Sequence, residues 1–348
     1  MQCPLPGVFL HFVFFFVFFP RGRCLFCTAF CVHFWGDSSV FMNTDRLHDK
    51  KWGVFTHYLW HEQNRAGTPA NMGAGQVDWS TLVDRIDVER LARTLHEVGA
   101  GYYFITLMQG HKYMLAPNDT FDSIAGTRPG ECCAERDIIS ELYDALHKYD
   151  IDLYLYYTGD GPYKDVEVGE RFGYVEPRGE NLNRGFVEKW AAVLEDYARR
   201  WGDKVKGWWI DGCYRYFKYN EELLKLYQTA VRNGNPDAII AYNDGVKPTL
   251  TKDYAISDFT CGEFNDFVFV PTSRYVDGAQ AHILAPLGRS LDGSEWGSWC
   301  KPGAKRDGAY MHDYVQKVNA VGGVVTIDII IYRDGSLDDQ QLEVLGCI

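Results

Sequence analysis

Positive charge is scarce in this chain. Its 35 Lys and Arg stand against 47 Asp and Glu, for a formal net charge of −12 over 348 residues. No Lys/Arg stripe runs along any predicted element, so a nucleic-acid footprint is missing and such partners are excluded. Several catalytic signatures are missing too. There is no Gly-x-Ser-x-Gly elbow and no phosphate loop, and no Gly-x-Gly-x-x-Gly turn follows the first predicted strand. No His-x-His pair occurs, and His57 and His61 are separated by a predicted turn, so a metal-dependent barrel has little to build on. The 10 cysteines, at Cys3, Cys24, Cys27, Cys31, Cys132, Cys133, Cys213, Cys261, Cys300 and Cys347, follow no disulfide framework. Cys24, Cys27, Cys31 and His33 superficially resemble a zinc cluster, but they sit in a Phe-rich tract without a second ligand pair. No cofactor and no metal is therefore expected.

Long hydrophobic runs are also absent. The longest apolar stretch, residues 8–19 (VFLHFVFFFVFF), is too short for a standard membrane span, so no stable span is expected. It has the length of a signal-peptide core, yet its basic residues, Arg21 and Arg23, follow it instead of preceding it. Residues 1–41 read as a leader, either a signal or anchor or spurious upstream translation, with Met42 as the alternative start. The protein is secreted or periplasmic if the leader is real and cytoplasmic if translation starts at Met42. No motif fixes an oligomeric state.

What is abundant is aromatic: 15% of residues are Phe, Trp or Tyr. Many fall near the ends of predicted strands. From Trp52 on, strands and helices alternate. The strands are placed at Gly53–Tyr58, Gly101–Leu107, Ile151–Tyr157, Val205–Asp211, Ala238–Asn243, Tyr254–Thr260, His282–Pro286 and Gly323–Ile331. Helices are placed at Asp87–Val98, Arg136–Tyr149, Phe186–Trp201, Glu221–Asn233 and Tyr310–Val321. Residues 108–135 read as a long polar loop. Eight strands with interleaved helices predict an α/β fold, a single-domain (β/α)8 TIM barrel over 42–348, with an open doubly wound sheet as runner-up.

Barrel active sites lie at the C-terminal ends of the strands. The polar residues there are His57, Gln109, His111, Tyr157, Asp211, Asn243, Asp244, Glu263 and Asp328. The tightest cue is Val205-Lys-Gly-Trp-Trp-Ile-Asp-Gly212, a buried strand that delivers one carboxylate to its own tip. Trp209 and Asp211 are two residues apart and share a face. An aromatic plate beside a carboxylate suits sugar chemistry. Glycoside hydrolysis needs two carboxylates, and Asp211 with Glu263 is the best-placed pair. Asp244 and Asp328 read as orienting or structural groups.

The order of motifs over residues 52–345 resembles the α-L-fucosidases of glycoside hydrolase family 29. Gly53-Val-Phe-Thr-His57 resembles the family's opening strand, whose histidine contacts the sugar. Ala100–Thr106 resembles its second strand. Arg136-Asp-Ile138, with Glu141-Leu and Ala145-Leu146, resembles its Arg-Asp-Ile-Val helix. Leu155-Tyr-Tyr157 resembles its Leu-Tyr-Tyr-Ser strand and implies a sugar-facing Tyr157. Trp209-Ile-Asp211-Gly resembles its Trp-x-Asp-Gly, which implies that Asp211 is the nucleophile. Thr260-Cys-Gly-Glu263 falls near the loop that supplies the acid/base in many members. Residues 322–335 resemble its Gly-Asn-Leu-Leu-Leu-Asn strand and following Asp-Gly, with Asp328 in place of the asparagine. Gln341–Gly346 resembles the helix start that follows.

The departures bear on the sugar. The family's His-His-Asp-Gly-Phe is Gln109-Gly-His-Lys-Tyr113 here, and its Asn-Asp-Arg is Asn243-Asp-Gly245. The acidic-aromatic pair of the first loop has no clear match, and the C-terminal β-sandwich is missing. The resemblance thus implies loss of the paired histidines that hold fucose hydroxyls, with His111 and Lys112 as candidate replacements. The resemblance implies a retaining exo-glycosidase that hydrolyses a terminal fucose or a related sugar. Asp211 would be the nucleophile and Glu263 the acid/base, while His57, Gln109, His111, Tyr157, Trp209 and Asn243 would bind the carbohydrate. The alternatives are a catalytically silent carbohydrate-binding barrel and a metal-dependent barrel hydrolase.

Overall fold

Seven short apolar stretches make one curled parallel sheet. They are β1 (Trp52–Thr56), β2 (Tyr102–Thr106), β3 (Asp152–Thr158), β4 (Val205–Asp211), β5 (Ile239–Tyr242), β6 (His282–Pro286) and β7 (Val324–Ile329), in the spatial order β5-β4-β3-β2-β1-β7-β6. This computed structural model describes residues 42–180, 182–290, 292 and 298–348. The leader and the Cys24/Cys27/Cys31/His33 group lie outside the described residues. Every strand but β4 is buried along its whole length, as a parallel sheet covered on both faces requires.

Alternation divides the side chains between two cores. Val54, Tyr103, Ile105, Leu153, Leu155, Tyr157, Trp208 and Ile210 pack outward with the helices. Phe55, Tyr102, Phe104, Tyr154, Tyr156, Trp209 and Ala241 fill the concave face. The interior is crowded with rings. Phe104 stacks on Tyr154 at 4.9 Å, and Tyr156 stacks on Trp209 at 5.5 Å. The short helix Asp45–Lys50 contributes Leu47 to this core, and its Arg46 grips Asp152 at the start of β3, with Nε 2.6 Å from Oδ2.

The outer helices run over Val88–Glu97, Ile138–His147, Arg184–Trp201, Glu221–Gly234 and Gly308–Ala320. Each starts where a side chain can satisfy an orphan backbone N–H: Asp87, Asp137, Asn183, Asn220 and Asp307 all accept from the third residue onward. The segment 108–135 is more structured than its polarity suggests, because Asn118 caps a helix over Asp119–Ala125.

The expected eight-stranded (β/α)8 barrel needs correction at one position. No strand forms at Tyr254–Thr260, and the seven paired strands make a half-barrel with its helices. Residues 258–264 run between the sheet edges instead. Asp258 meets β5 with its N–H (2.8 Å to Ile240 O), and its carboxylate accepts the Ile240 N–H at 2.8 Å. On the other side single bridges join Phe259 to Gln280 and Glu263 to Leu284. The reason is local. A side chain replaces backbone against β5, and Gly262, at φ +59, presses so close to the His282 carbonyl that a Cβ would sit 1.8 Å from it. Regular strand geometry cannot continue through such a residue.

Candidate active site

The ends of the strands bring two carboxylates onto one amide. Asp211 is the last residue of β4, Asn243 immediately follows β5, and Glu263 follows the Gly262 turn. Asn243 Nδ2 donates to Asp211 Oδ1 at 2.8 Å and to Glu263 Oε2 at 2.7 Å. Those oxygens therefore lie no farther apart than the two bonds laid end to end, about 5.5 Å. The second Asp211 oxygen accepts from the Tyr156 hydroxyl at 2.7 Å, and Gln109 Nε2 donates to that hydroxyl at 3.0 Å.

Asp211 and Glu263 are half-buried, whereas Tyr156 and Asn243 beneath them are fully buried. Burial, then the facing charge of Asp211, pushes the Glu263 carboxyl up to about 7, and the Asn243 hydrogen bond acts against the rise. A carboxylic acid that still holds its proton near neutrality can donate it to a leaving oxygen. Gly212, at φ +69, turns the chain directly after Asp211, where a Cβ would meet the Asp160 carboxylate at 2.8 Å.

A second group lines the same end of the sheet. His57, just past β1, puts Nδ1 2.7 Å from Asp328 Oδ1 of β7. Burial alone would lower the imidazole; Cys300 and Asp328 outweigh it and hold His57 well above its usual value. The ring also meets Phe55 edge-on at 4.6 Å and Trp299 at 5.6 Å.

Several expected contacts are corrected by this geometry. Tyr157 does not face the site: it is fully buried among the outer helices, and its hydroxyl donates to Trp190 O at 2.9 Å. It shares parity with Leu153 and Leu155, and Tyr156 takes the inward position. Trp209 faces inward with Asp211 but is not open to a sugar. It is 3% exposed, stacks on Tyr156 and donates Nε1 to Cys261 O at 3.2 Å. Asn243 is fully buried and uses both ends of its amide within the protein, Oδ1 accepting from Gly245 N at 3.0 Å. His111 joins neither carboxylate; it contacts Asp165 at 3.2 Å and packs near Trp60 and His61. Gln109 stays half-buried beside the pair, and Asp328 is the orienting partner of His57.

Sequence reasoning missed Tyr156, Trp299 and Cys300. Parity along β3 carried a signal for Tyr156. The Trp299-Cys300 turn carried none, because it reaches His57 only through tertiary folding. Among the described residues no group of three His, Cys, Asp or Glu side chains is arranged to hold a metal ion, and no helix is long and apolar enough to cross a membrane.

Comparison with solved structures identifies the fold shared with this chain. An endo-fucoidan hydrolase of glycoside hydrolase family 107, MfFcnA9, matches with a TM-score of 0.63 at 14% identity, over 87% of this chain and 63% of that one. An α-L-fucosidase of family 29 from Bacteroides thetaiotaomicron matches at 0.57 and 18%, over 87% and 72%. Alpha-L-fucosidase AlfC from Lactobacillus casei, in complex with α-L-fucose product, matches at 0.56 and 14%, over 88% and 97%. The chain thus spans less than two thirds of the first of these. At such identities the likeness is one of fold. No protein-family model matches the chain, and no curated protein does.

Proposed function

We propose that the protein is a retaining glycosidase, fucosidase-like and exo-acting, that cleaves a terminal α-L-fucosyl or related sugar. The observation that carries this reading is the single amide nitrogen of Asn243 shared by Asp211 and Glu263, which keeps their facing oxygens within about 5.5 Å. We read the seven-stranded sheet together with residues 258–264 as a (β/α)8 barrel whose sixth position is irregular. Both families among the structural matches carry fucose or fucoidan in their descriptions, which supports the sugar.

In the first step Asp211 attacks the anomeric carbon while Glu263 gives its proton to the leaving oxygen. In the second step Glu263, now a carboxylate, takes a proton from water, which attacks the same carbon and releases Asp211. Tyr156 and Asn243 each aim a donor at Asp211 and fix which lone pair faces the sugar. The His57–Asp328 pair supplies an oriented donor beside it.

Turnover of an aryl α-L-fucoside tests the assignment. Asp211→Asn is expected to lose several orders of magnitude, and Glu263→Ala to regain rate with azide on an activated substrate. Turnover by Asp211→Asn within tenfold of wild type would overturn the nucleophile. Sugar binding by calorimetry without turnover of any aryl glycoside would favour a silent binding barrel instead. Loss of activity in excess chelator would favour the metal-dependent reading.

A further inference from the structure

Immediately beyond Asp211 and Gly212 the chain turns aromatic, reading Cys213-Tyr-Arg-Tyr-Phe217. Tyr214 and Tyr216 stack face to face, with centroids 5.1 Å apart and planes 8° from parallel. Phe217 meets Tyr216 edge-on at 4.2 Å. The inner ring, Tyr214, is half-buried and stands in the field of the carboxylate pair. The charge of Asp211, then burial, then the charge of Glu263 hold its phenol proton far above the usual range. The outer ring is left in water. Tyr216 is 72% exposed, more than any other large apolar side chain among the described residues.

The platform is braced from below. The Arg178 guanidinium lies 4.6 Å from the Tyr163 ring, 4.9 Å from Phe217 and 5.7 Å from Tyr214, and it pairs with Asp160. Asp160 is 2% exposed, so the guanidinium meets its partner on the protein side. The result is a stacked aromatic step that begins three residues past Asp211 and ends in solvent at Tyr216. A fixed and uncovered aromatic face leaves apolar area in water, and its natural use is to receive a ligand with a matching apolar face.

We infer that Tyr216, carried on Tyr214, is a stacking subsite for the sugar ring on the leaving-group side, so that the substrate is an oligosaccharide or polysaccharide. This rests on the roles proposed for Asp211 and Glu263. The reacting ring must lie against those carboxylates, and a ring over Tyr216 lies farther out. The C–H face of a pyranose fits an open phenol ring.

The probe without a leaving-group ring is α-L-fucosyl fluoride; the probe with one is a fucosylated oligosaccharide. Tyr216→Ala is expected to keep its kcat/KM for the fluoride within about twofold and to lose about tenfold for the oligosaccharide, with Tyr216→Phe close to wild type. Equal losses on both probes, or no loss on the oligosaccharide, would overturn the subsite. Wild type turning over neither probe would sink the catalytic reading instead. Calorimetry with the oligosaccharide then still reads the platform. A tenfold weaker Kd in Tyr216→Ala supports it, while unchanged affinity, or no binding by wild type, overturns it.

Discussion

Replacing Asn243 by Ala removes the amide that joins the two carboxylates, and the structure sets both a direction and a size for the result. Asn243 donates 2.7 Å to Glu263 Oε2 and 2.8 Å to Asp211 Oδ1. Hydrogen bonds to charged acceptors are worth about 1.5–3 kcal/mol each. The donor favours the Glu263 carboxylate and so works against the rise to about 7 that burial and Asp211 impose. Removing it raises the carboxyl further. In the proposed mechanism Glu263 must be protonated to act as the acid, so activity is expected to fall as pH rises through its titration. The wild-type kcat/KM profile is therefore expected to fall on an alkaline limb near pH 7, and that of Asn243→Ala at higher pH. The overall rate should drop about a hundredfold, because the two carboxylates lose the donor that fixes how their oxygens are aimed. Initial rates on an aryl α-L-fucoside from pH 5 to 9, with circular dichroism to confirm the fold, measure both effects. An alkaline limb that stays in place, or moves to lower pH, refutes the link between the Asn243 amide and the Glu263 proton.

Three further outcomes follow from the same geometry. Tyr156→Phe removes the 2.7 Å donor to Asp211 and should lower kcat about ten- to a hundredfold, whereas Tyr157→Phe loses only its bond to Trp190 and should cost about 1 kcal/mol of stability with kcat unchanged, read by turnover and by urea unfolding. Asp328→Asn takes away the carboxylate that favours the imidazolium of His57 against burial, so its ring should lose its proton at lower pH than in wild type, as followed by 15N chemical shifts. Trp208→Ala empties an outward-facing core position that is 1% exposed and should destabilise by about 3–5 kcal/mol in urea, with the pH profile of surviving activity unchanged.

The parts of this molecule legible in its sequence are those that one residue's neighbours determine. Val205–Asp211 announces a buried strand with a carboxylate at its tip, and the structure ends β4 at that aspartate. The helices were legible because apolar residues recur in them at helical spacing. Strand parity was legible as well, and following it through Leu153 and Leu155 separates Tyr157 from Tyr156. A motif match to Leu-Tyr-Tyr cannot make that distinction, since it names both tyrosines. The irregular segment at Asp258–Phe264 was hidden for another reason. Its apolar residues have strand character, and only the approach of Gly262 to the His282 carbonyl shows that the strand must break. The break serves the site. A regular strand would continue straight through residue 263, whereas the φ +59 turn ahead of it accompanies a Glu263 carboxylate that reaches the amide already holding Asp211. The residue that binds the two halves, Asn243, looks in sequence like one more polar strand end. Its role exists only where β5 ends beside β4, because a shared hydrogen-bond donor belongs to the juxtaposition of strands and to no single stretch of chain.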